Sequence, residues 1–124
     1  MARSPKALRL RRRGEVWLVA LDPTVGHEIQ KTRPAVVVQN DHSNRTAQTT
    51  IVAPLTSTVG PRLYPTEVLV TAGEGGCRVD SLVLLRQLRC IDRTRLIKRL
   101  GTVRGHTLDA IDQALLITLG LVDL

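Results

Sequence analysis

The sequence predicts a mainly β protein of the α+β class, a small barrel or sandwich with helices packed on it. Three observations predict this class: short runs of β-branched and apolar residues, turn residues at regular intervals between them, and helical periodicity only late in the chain. The 124 residues are enough for one domain with one hydrophobic core. We divide the chain into a basic tail over residues 1–13 and a single domain over residues 14–124.

The first part of the domain is predicted to consist of strands that end at turn residues. The first run stops at Asp22-Pro23 and the second at Asn40-Asp41, whose side chains bond their own backbone in turns. The segment His42–Ala47 is expected to be a loop. The predicted strands, of which the last two segments form one strand or two, are Glu15–Leu21, Pro34–Gln39, Thr49–Leu55, Thr66–Val70, Arg78–Leu85 and Arg86–Ile91. Residues predicted to lie in the core are Trp17, Val79, Leu82, Leu84 and Leu88.

Two helices are expected after the strands. Asp92 is the predicted cap of a short helix over Arg93–Leu100, and Thr107 is the predicted cap of a second helix. The second helix has one apolar face, formed by Leu108, Ile111, Leu115 and Leu119. The C-terminal residues L-L-I-T-L-G-L-V-D-L are more apolar than a monomer of this size needs. They belong either to the core or to a partner surface, and a dimer fits both.

The charge distribution indicates a polyanionic partner. The chain has 18 Lys and Arg against 11 Asp and Glu, a net charge of +7. Residues 1–14 carry +6 and residues 86–104 carry another +6, so the rest of the chain carries −5. Two cationic blocks on a slightly acidic body are typical of nucleic-acid binding, although basic tails also occur as solvated arms.

Composition excludes several other classes. Cys77 and Cys90 are not in a C-x-x-C pair and the three histidines are scattered, so neither a metal site nor a cofactor is expected. Both thiols are expected to be inert. No apolar run approaches the roughly 20 residues that span a bilayer, and no apolar stretch follows the basic N-terminus. We expect a cytoplasmic protein that does not enter a membrane.

The reactive groups that remain suit a phosphodiester. His27 and Glu28 lie in a polar loop, and Arg33 follows that loop at the start of a strand. A guanidinium held there can meet a phosphate with two parallel hydrogen bonds, although Arg33 alone is equally well explained as a surface arginine. The hydroxyl cluster Thr56–Thr58 ends another strand, and Arg86-Gln87 lies within a third.

Together these motifs resemble the MazF/PemK family of toxins. The matching segments, in the family's order from Arg13 to about Leu121, are G-E-V-W-L-V at Gly14–Val19, D-P at Asp22-Pro23, G-H-E at Gly26–Glu28, R-P-A-V-V-V-Q-N-D at Arg33–Asp41, P-L-T-S at Pro54–Ser57 and S-L-V-L-L-R-Q-L-R-C-I-D at Ser81–Asp92. The resemblance implies an SH3-like antiparallel β-barrel with a short helix and a C-terminal helix packed on it, working as a homodimer. It also implies the toxin of a type II toxin–antitoxin system, a metal-independent endoribonuclease that cuts single-stranded RNA, and a cognate antitoxin with an acidic C-terminal tail.

The mechanism implied by the resemblance is attack of the RNA 2′-hydroxyl on the adjacent phosphate. By position, Arg33 and Thr56 match the family's catalytic pair, and His27 matches the loop histidine of the PemK/Kid branch. Leu84 and Arg86 stand where that branch has its Arg-x-Asp, so the chain resembles the MazF branch. Because a guanidinium stays charged, an electrostatic role for Arg33 is favoured over proton transfer. The general base stays open among His27, Glu28 and a water.

Amide, hydroxyl and charged side chains near the predicted site are candidates for RNA recognition. These substrate-binding candidates are Glu28, Lys31, Asn40, Ser57, Ser81, Arg86 and Gln87.

Two other functions remain as alternatives. One is a gyrase poison of the same fold, of the CcdB type, which acts by protein–protein contact. Its family has a tryptophan near the chain end, where this chain has none. The other is a catalytically silent RNA-binding module, which needs the basic faces but no intact Arg33–Thr56 pair.

Overall fold

Antiparallel strands build most of the molecule, and a computed structural model describes residues 11–29 and 31–123. The described residues form seven strands, β1 Glu15–Ala20, β2 Thr32–Val37, β3 Thr49–Thr56, β4 Glu67–Val70, β5 Ser81–Leu84, β6 Arg89–Asp92 and β7 Leu96–Thr102. They also form two α-helices, α1 Asp41–Thr46 and α2 Gly105–Thr118, and three 3-10 turns, Glu74–Gly76, Leu85–Gln87 and Arg93–Arg95. The prediction of a mainly antiparallel fold with a C-terminal helix is confirmed. Among these residues, no helix is long and apolar enough to cross a bilayer.

The sheet is organised around β3. The strand order is β4-β5-β3-β2-β1-β7, and β6 pairs with β3 beside this path. The N-terminal part of β3 pairs with β6 from Thr49 to Val52, whereas its last two residues, Leu55 and Thr56, pair with β5. One long strand therefore joins two parts of the sheet.

The central strands are buried on both faces. In β2, Val36 packs in a cluster between the sheet and α2, whereas Ala35 and Val37 pack in a second cluster around Trp17. Successive side chains of a strand point to opposite faces, so a strand that contributes to two clusters must be apolar at every position. This explains why β1 and β2 read as continuous apolar runs, and it confirms Trp17 as a core residue.

A buried polar network fixes α1, which lies where the sequence predicted a loop. Asn40 caps the helix by accepting from the Ser43 N–H at 2.8 Å. Asn44 is fully buried; its amide donates to the Gln39 carbonyl at 2.9 Å and accepts from the Thr50 hydroxyl at 2.8 Å. A single turn held by such side-chain bonds carries little helical periodicity, which is why the prediction of a loop was wrong.

The end of the predicted tail is part of the domain. Residues 1–10 lie outside the described residues, but Arg11 is only 1% exposed and its Nη2 donates to the carbonyls of Ala47 and Thr49, both at 2.9 Å. Arg13 donates to the Val38 carbonyl at 2.9 Å and forms an ion pair with Asp112 of α2. For residues 11–13 the assignment to a tail therefore differs from the structure.

The helix predicted over Arg93–Leu100 was wrong. Asp92 does cap a turn, accepting from the Thr94 N–H at 2.9 Å, but this turn ends at Arg95 and the chain continues as β7. Pairing with the edge of β1, for example Leu18 with Lys98, overrides the local helical pattern.

Two further expectations also fail in detail. Val79 is 55% exposed and does not belong to the core, whereas Leu82 is buried. Thr107 does not cap α2 from the N-cap position, which Arg104 occupies. The buried carboxylate of Glu74 takes the capping role from another element, since it accepts from the Arg104 N–H at 2.9 Å.

Close backbone packing joins the turn Glu74–Gly76 to β7. A Cβ on Gly101 would lie 2.6 Å from the Gly75 carbonyl carbon, and a Cβ on Gly76 would lie 2.3 Å from the Leu100 oxygen. Both obstacles are backbone, which cannot rotate away. Glycine at these positions therefore lets the turn lie directly on the strand.

We expect Gly101→Ala to lower the free energy of unfolding by about 1–3 kcal/mol, the usual cost of overpacking. Gly60→Ala is the matched control, because a Cβ at Gly60 meets nothing within 4 Å. Its effect should stay within about 1 kcal/mol. Urea denaturation measures both, and equal stability of the two variants would contradict the close approach.

The free energy of unfolding is expected to depend on pH through the Glu74 carboxylate. Burial alone would raise its pKa, but hydrogen bonds from Thr107 and the Arg104 backbone, together with the charges of Arg104 and His106, hold the pKa below the ordinary 4.5. A lowered carboxylate pKa stabilises the fold above the ordinary value, and that stabilisation is lost as pH falls through the folded pKa.

Glu74→Gln should therefore lower the free energy of unfolding by about 1–3 kcal/mol at pH 7. The difference from the wild type should shrink as the pH is lowered below about 4.5. Denaturation at a series of pH values checks this, and a difference that is constant from pH 7 to pH 3 would show that the carboxylate is not the capping group.

Candidate active site

The pairing of β2 with β3 brings the two predicted catalytic residues to the same end of the sheet. Ala35 pairs with Pro54 in antiparallel register. Continued by two residues, this register sets Arg33 opposite Thr56. On its other side Arg33 pairs with Val19 of β1.

Arg33 and Thr56 line one cleft of about 440 Å³, which we call the cationic cleft. Its walls are the start of β2, the end of β3, residues 76–79, Ser81, and Leu100 of β7. Among the described residues that line it, the charged ones are Lys31, Arg33 and Arg78, and all are cationic. Such a cleft favours an anion of phosphate size.

The Thr56 hydroxyl is oriented by its own loop. It accepts a hydrogen bond from the Thr58 N–H at 3.2 Å, which uses one of its lone pairs. The hydroxyl keeps its own proton, which it can donate to another acceptor. Thr56 and Arg33 are both half-buried, so each side chain is partly ordered by its neighbours and still reaches solvent.

Three predicted substrate-binding residues also line the cationic cleft. Lys31 and Ser57 are exposed there, whereas Ser81 is buried and its hydroxyl donates to the Val79 carbonyl at 3.0 Å. Ser81 is therefore part of the cleft wall, with its donor already used.

Cys77 lies in the same wall and is buried. Burial raises the pKa of its thiol, and a hydrogen bond with Ser81 acts in the opposite direction without reversing this shift. Cys90, in contrast, is exposed on β6. Both are free thiols.

A second, larger cavity of about 780 Å³ gathers the other predicted site residues. We call it the large cavity. It is lined by three segments, the loop Val25–Ile29, Tyr64–Glu67 and Leu84–Arg89. His27, Glu28, Arg86 and Gln87 all belong to this lining, so the structure divides the predicted site between two cavities.

Gln87 and Glu28 shape the loop between the cavities. The Gln87 side chain accepts from the Ile29 N–H at 2.7 Å and donates to the His27 carbonyl at 3.4 Å. The Glu28 carboxylate accepts from the Val25 N–H at 2.8 Å. These two residues thus have structural partners, whereas the side chains of His27 and Arg86 lie exposed at the cavity.

Asn40 is separate from both cavities. It lies beyond the other end of β2, where its side chain caps α1. The structure therefore does not bring Asn40 together with Arg33, because Arg33 lies at the start of β2 and Asn40 lies beyond its end at Val37. The same residue type suits base recognition and helix capping, and only tertiary structure distinguishes the two.

Tyr64 and Arg78 are among the lining residues that the sequence did not identify. Tyr64 is 53% exposed at the large cavity, and Arg78 lies in the cationic cleft. Tyr64 and Trp17 are the only aromatic residues of the chain, so the burial of Trp17 leaves Tyr64 as its one aromatic surface. That elimination was possible from the sequence, whereas nothing in the pattern around Arg78 indicated its position.

Comparison with known proteins identifies the family of this chain. Residues 12–119 match the family model described as PemK-like, MazF-like toxin of type II toxin–antitoxin system. The chain belongs to this family. The resemblance predicted from the motifs is thereby confirmed.

Relatives and solved structures agree with the family. The chain is 39% identical to Endoribonuclease EndoA of Bacillus subtilis, over 90% of this chain and 97% of that protein. It is 41% identical to Endoribonuclease MazF9 of Mycobacterium tuberculosis, over 89% and 97%. MazF from Deinococcus radiodurans superposes with a TM-score of 0.76 at 28% identity, over 89% of this chain and 96% of that one. A MazE–MazF crystal structure from the same organism gives 0.73 at 27%, over 91% and 98%. This MazF-like toxin has the fold of these proteins.

Proposed function

We propose that this MazF-like toxin is an endoribonuclease that cleaves single-stranded RNA at the cationic cleft without a metal ion. The observation that carries the proposal is that Arg33 and Thr56 line one cleft whose charged lining, among the described residues, is entirely cationic. The naming of EndoA and MazF9 as endoribonucleases supports the same reaction class.

The proposed reaction uses the substrate's own nucleophile. The ribose 2′-oxygen forms a bond to the adjacent phosphorus and its proton passes to a base, while the bond to the 5′-oxygen breaks and that oxygen gains a proton. The products are a 2′,3′-cyclic phosphate and a 5′-hydroxyl. No redox step or outside reactant is needed.

The protein's contribution is stabilisation of the extra negative charge on the phosphorane. The Arg33 guanidinium donates to two phosphoryl oxygens, and the Thr56 hydroxyl donates to the same phosphate. Lys31 and Arg78 line the same cleft and add positive potential. Removal of one such donor typically costs about 10²–10³ in rate, so the pair accounts for a large share of catalysis.

The proton acceptor is assigned to a water. His27 and Glu28, the other two candidates, line the large cavity rather than the cationic cleft, and the Glu28 carboxylate already accepts from the Val25 N–H. We therefore assign His27 to substrate binding beside the reacting phosphate.

The large cavity is proposed to hold nucleotides next to the cleaved bond. It combines an exposed aromatic ring at Tyr64 with the exposed side chains of His27 and Arg86. Unstacked bases of single-stranded RNA bind to aromatic and guanidinium planes and to polar groups that meet their edges. Residues 25 and 27–29 line the large cavity and residues 31–33 line the cationic cleft, so we propose that one RNA strand occupies both.

We propose the partners of a type II system for this chain. The MazE–MazF structure from Deinococcus radiodurans supports a cognate antitoxin, and the cationic cleft suits its expected acidic tail. Leu119 and Leu121 are 59% and 67% exposed beside Val122, an apolar surface that supports a homodimer.

The alternatives are less well supported. The match to the PemK-like, MazF-like family favours an RNA-cleaving toxin over a gyrase poison. A silent RNA-binding module would not need Arg33 and Thr56 in one cleft. A nuclease assay in EDTA distinguishes all three: only the proposed enzyme cuts RNA, a gyrase poison inhibits supercoiling, and a silent module binds RNA without cutting it.

Arg33→Ala should lower the cleavage rate by about 10²–10³-fold or more with the fold intact, and Thr56→Val by about 10²-fold. Arg45→Ala is the control, since Arg45 is an exposed cation on α1 and lines neither cavity. Cleavage of a mixed-sequence single-stranded transcript in EDTA measures the rates, and circular dichroism checks the fold. Near wild-type cleavage by Arg33→Ala would disprove the assigned site.

His27→Ala tests the assignment of the large cavity. We expect KM to rise or the preferred cleavage sequence to change, with kcat within about 3-fold, because binding lost equally from ground and transition states leaves kcat unchanged. Sequencing of the 5′-hydroxyl ends from a defined RNA pool reports the preference. A fall in kcat as large as that of Arg33→Ala would instead place His27 in catalysis.

A further inference from the structure

We propose that Arg95, assisted by Arg89, is a positioning residue for Arg33. These two arginines donate to backbone carbonyls where β1 ends. The backbone at that point is hydrogen-bonded to the residues just before Arg33. The proposal rests on the proposed function, because it concerns the placement of the residue assigned to the phosphate.

Two guanidiniums bind three successive carbonyl groups. The Nη1 of Arg95 donates to the Ala20 carbonyl at 3.0 Å and also to the Asp22 carbonyl. The Nη1 of Arg89 donates to the Leu21 carbonyl between them at 2.9 Å. β1 ends at Ala20, so Leu21 and Asp22 lie beyond the strand. Backbone polar groups need partners, and charged donors give the stronger bonds.

The clamped segment is in turn bonded to the start of β2. The Leu21 N–H donates to the Lys31 carbonyl at 3.0 Å, and the Asp22 carboxylate accepts from the Lys31 N–H at 2.9 Å. Next along the chain, Ala20 pairs with Thr32 and Val19 pairs with Arg33. A displacement of residues 20–22 would therefore be transmitted directly to residues 31–33.

The backbone conformation of Lys31 depends on the hydrogen bonds around it. Its φ is +73°, a left-handed conformation that a non-glycine residue keeps only where its surroundings hold it. The bonds to Leu21 and Asp22 are the support on one side. Without Arg95, the Asp22 backbone loses a guanidinium contact, and the chain at Lys31 is expected to relax.

The arginines of the second cationic block, residues 86–104, have different roles. Arg89 and Arg95 are half-buried and donate to backbone carbonyls, although Arg89 also lines the large cavity. Arg86 lines the same cavity but is exposed. A guanidinium suits the clamp because its planar arrangement offers several donors in fixed directions.

The test compares Arg95→Ala, Arg95→Lys and the control Arg45→Ala in the full chain. Cleavage of a long mixed-sequence single-stranded transcript gives kcat and KM, and amide hydrogen exchange reports the protection of residues 19–33. We expect Arg95→Ala to lower kcat about 10–100-fold with KM within about 3-fold, because a small misplacement of a catalytic group is costly. Exchange at Leu21 and Lys31 should speed up at least about 10-fold while the amides of β3 stay protected.

Arg95→Lys should fall between Arg95→Ala and the wild type, since an ammonium can still bond the Ala20 or Asp22 carbonyl. Arg45→Ala should match the wild type in both measurements. Wild-type kcat in Arg95→Ala would overturn the proposal, and so would loss of protection throughout β3 and α2, which would indicate general destabilisation.

The two hypotheses fail in distinguishable ways. If the wild type cuts no RNA, the proposed function is wrong. The exchange measurement then still decides whether Arg95 holds the segment that precedes Arg33, and unchanged exchange at Lys31 would overturn the clamp.

Discussion

β2 and β3 lie side by side with both faces covered, and this burial fixes their register. A slip of one residue would draw Arg33 towards the apolar clusters, where an unpaired charge is costly. The register that keeps the charge at the end of the sheet is also the one that sets Arg33 opposite Thr56. The fold and the cationic cleft therefore depend on the same strand pairing.

Arginine has two distinct uses in this chain. Arg11 and Arg95 donate to backbone carbonyls of the fold, whereas Arg33 and Arg78 line a cleft. A net charge of +7 therefore overstates the charge available to RNA or to an acidic partner. Burial distinguishes the two uses, and composition alone does not.

The sequence predicted the parts of the molecule that depend on local pattern or on family motifs. The apolar runs of β1 and β2, and the pair Arg33 and Thr56, are of this kind. It failed where distant residues decide the outcome: β7 is a strand because it pairs with β1, and α2 is capped by Glu74. Loop contacts made by side chains, such as those of Gln87, have no periodicity from which to predict them.

The cationic cleft draws its walls from chain positions far apart, from Lys31 near the beginning to Leu100 in β7. β7 pairs with β1, and β1 is synthesised long before β7. This pairing can therefore form only late in translation. A nascent chain therefore has no complete cleft until β7 has left the ribosome.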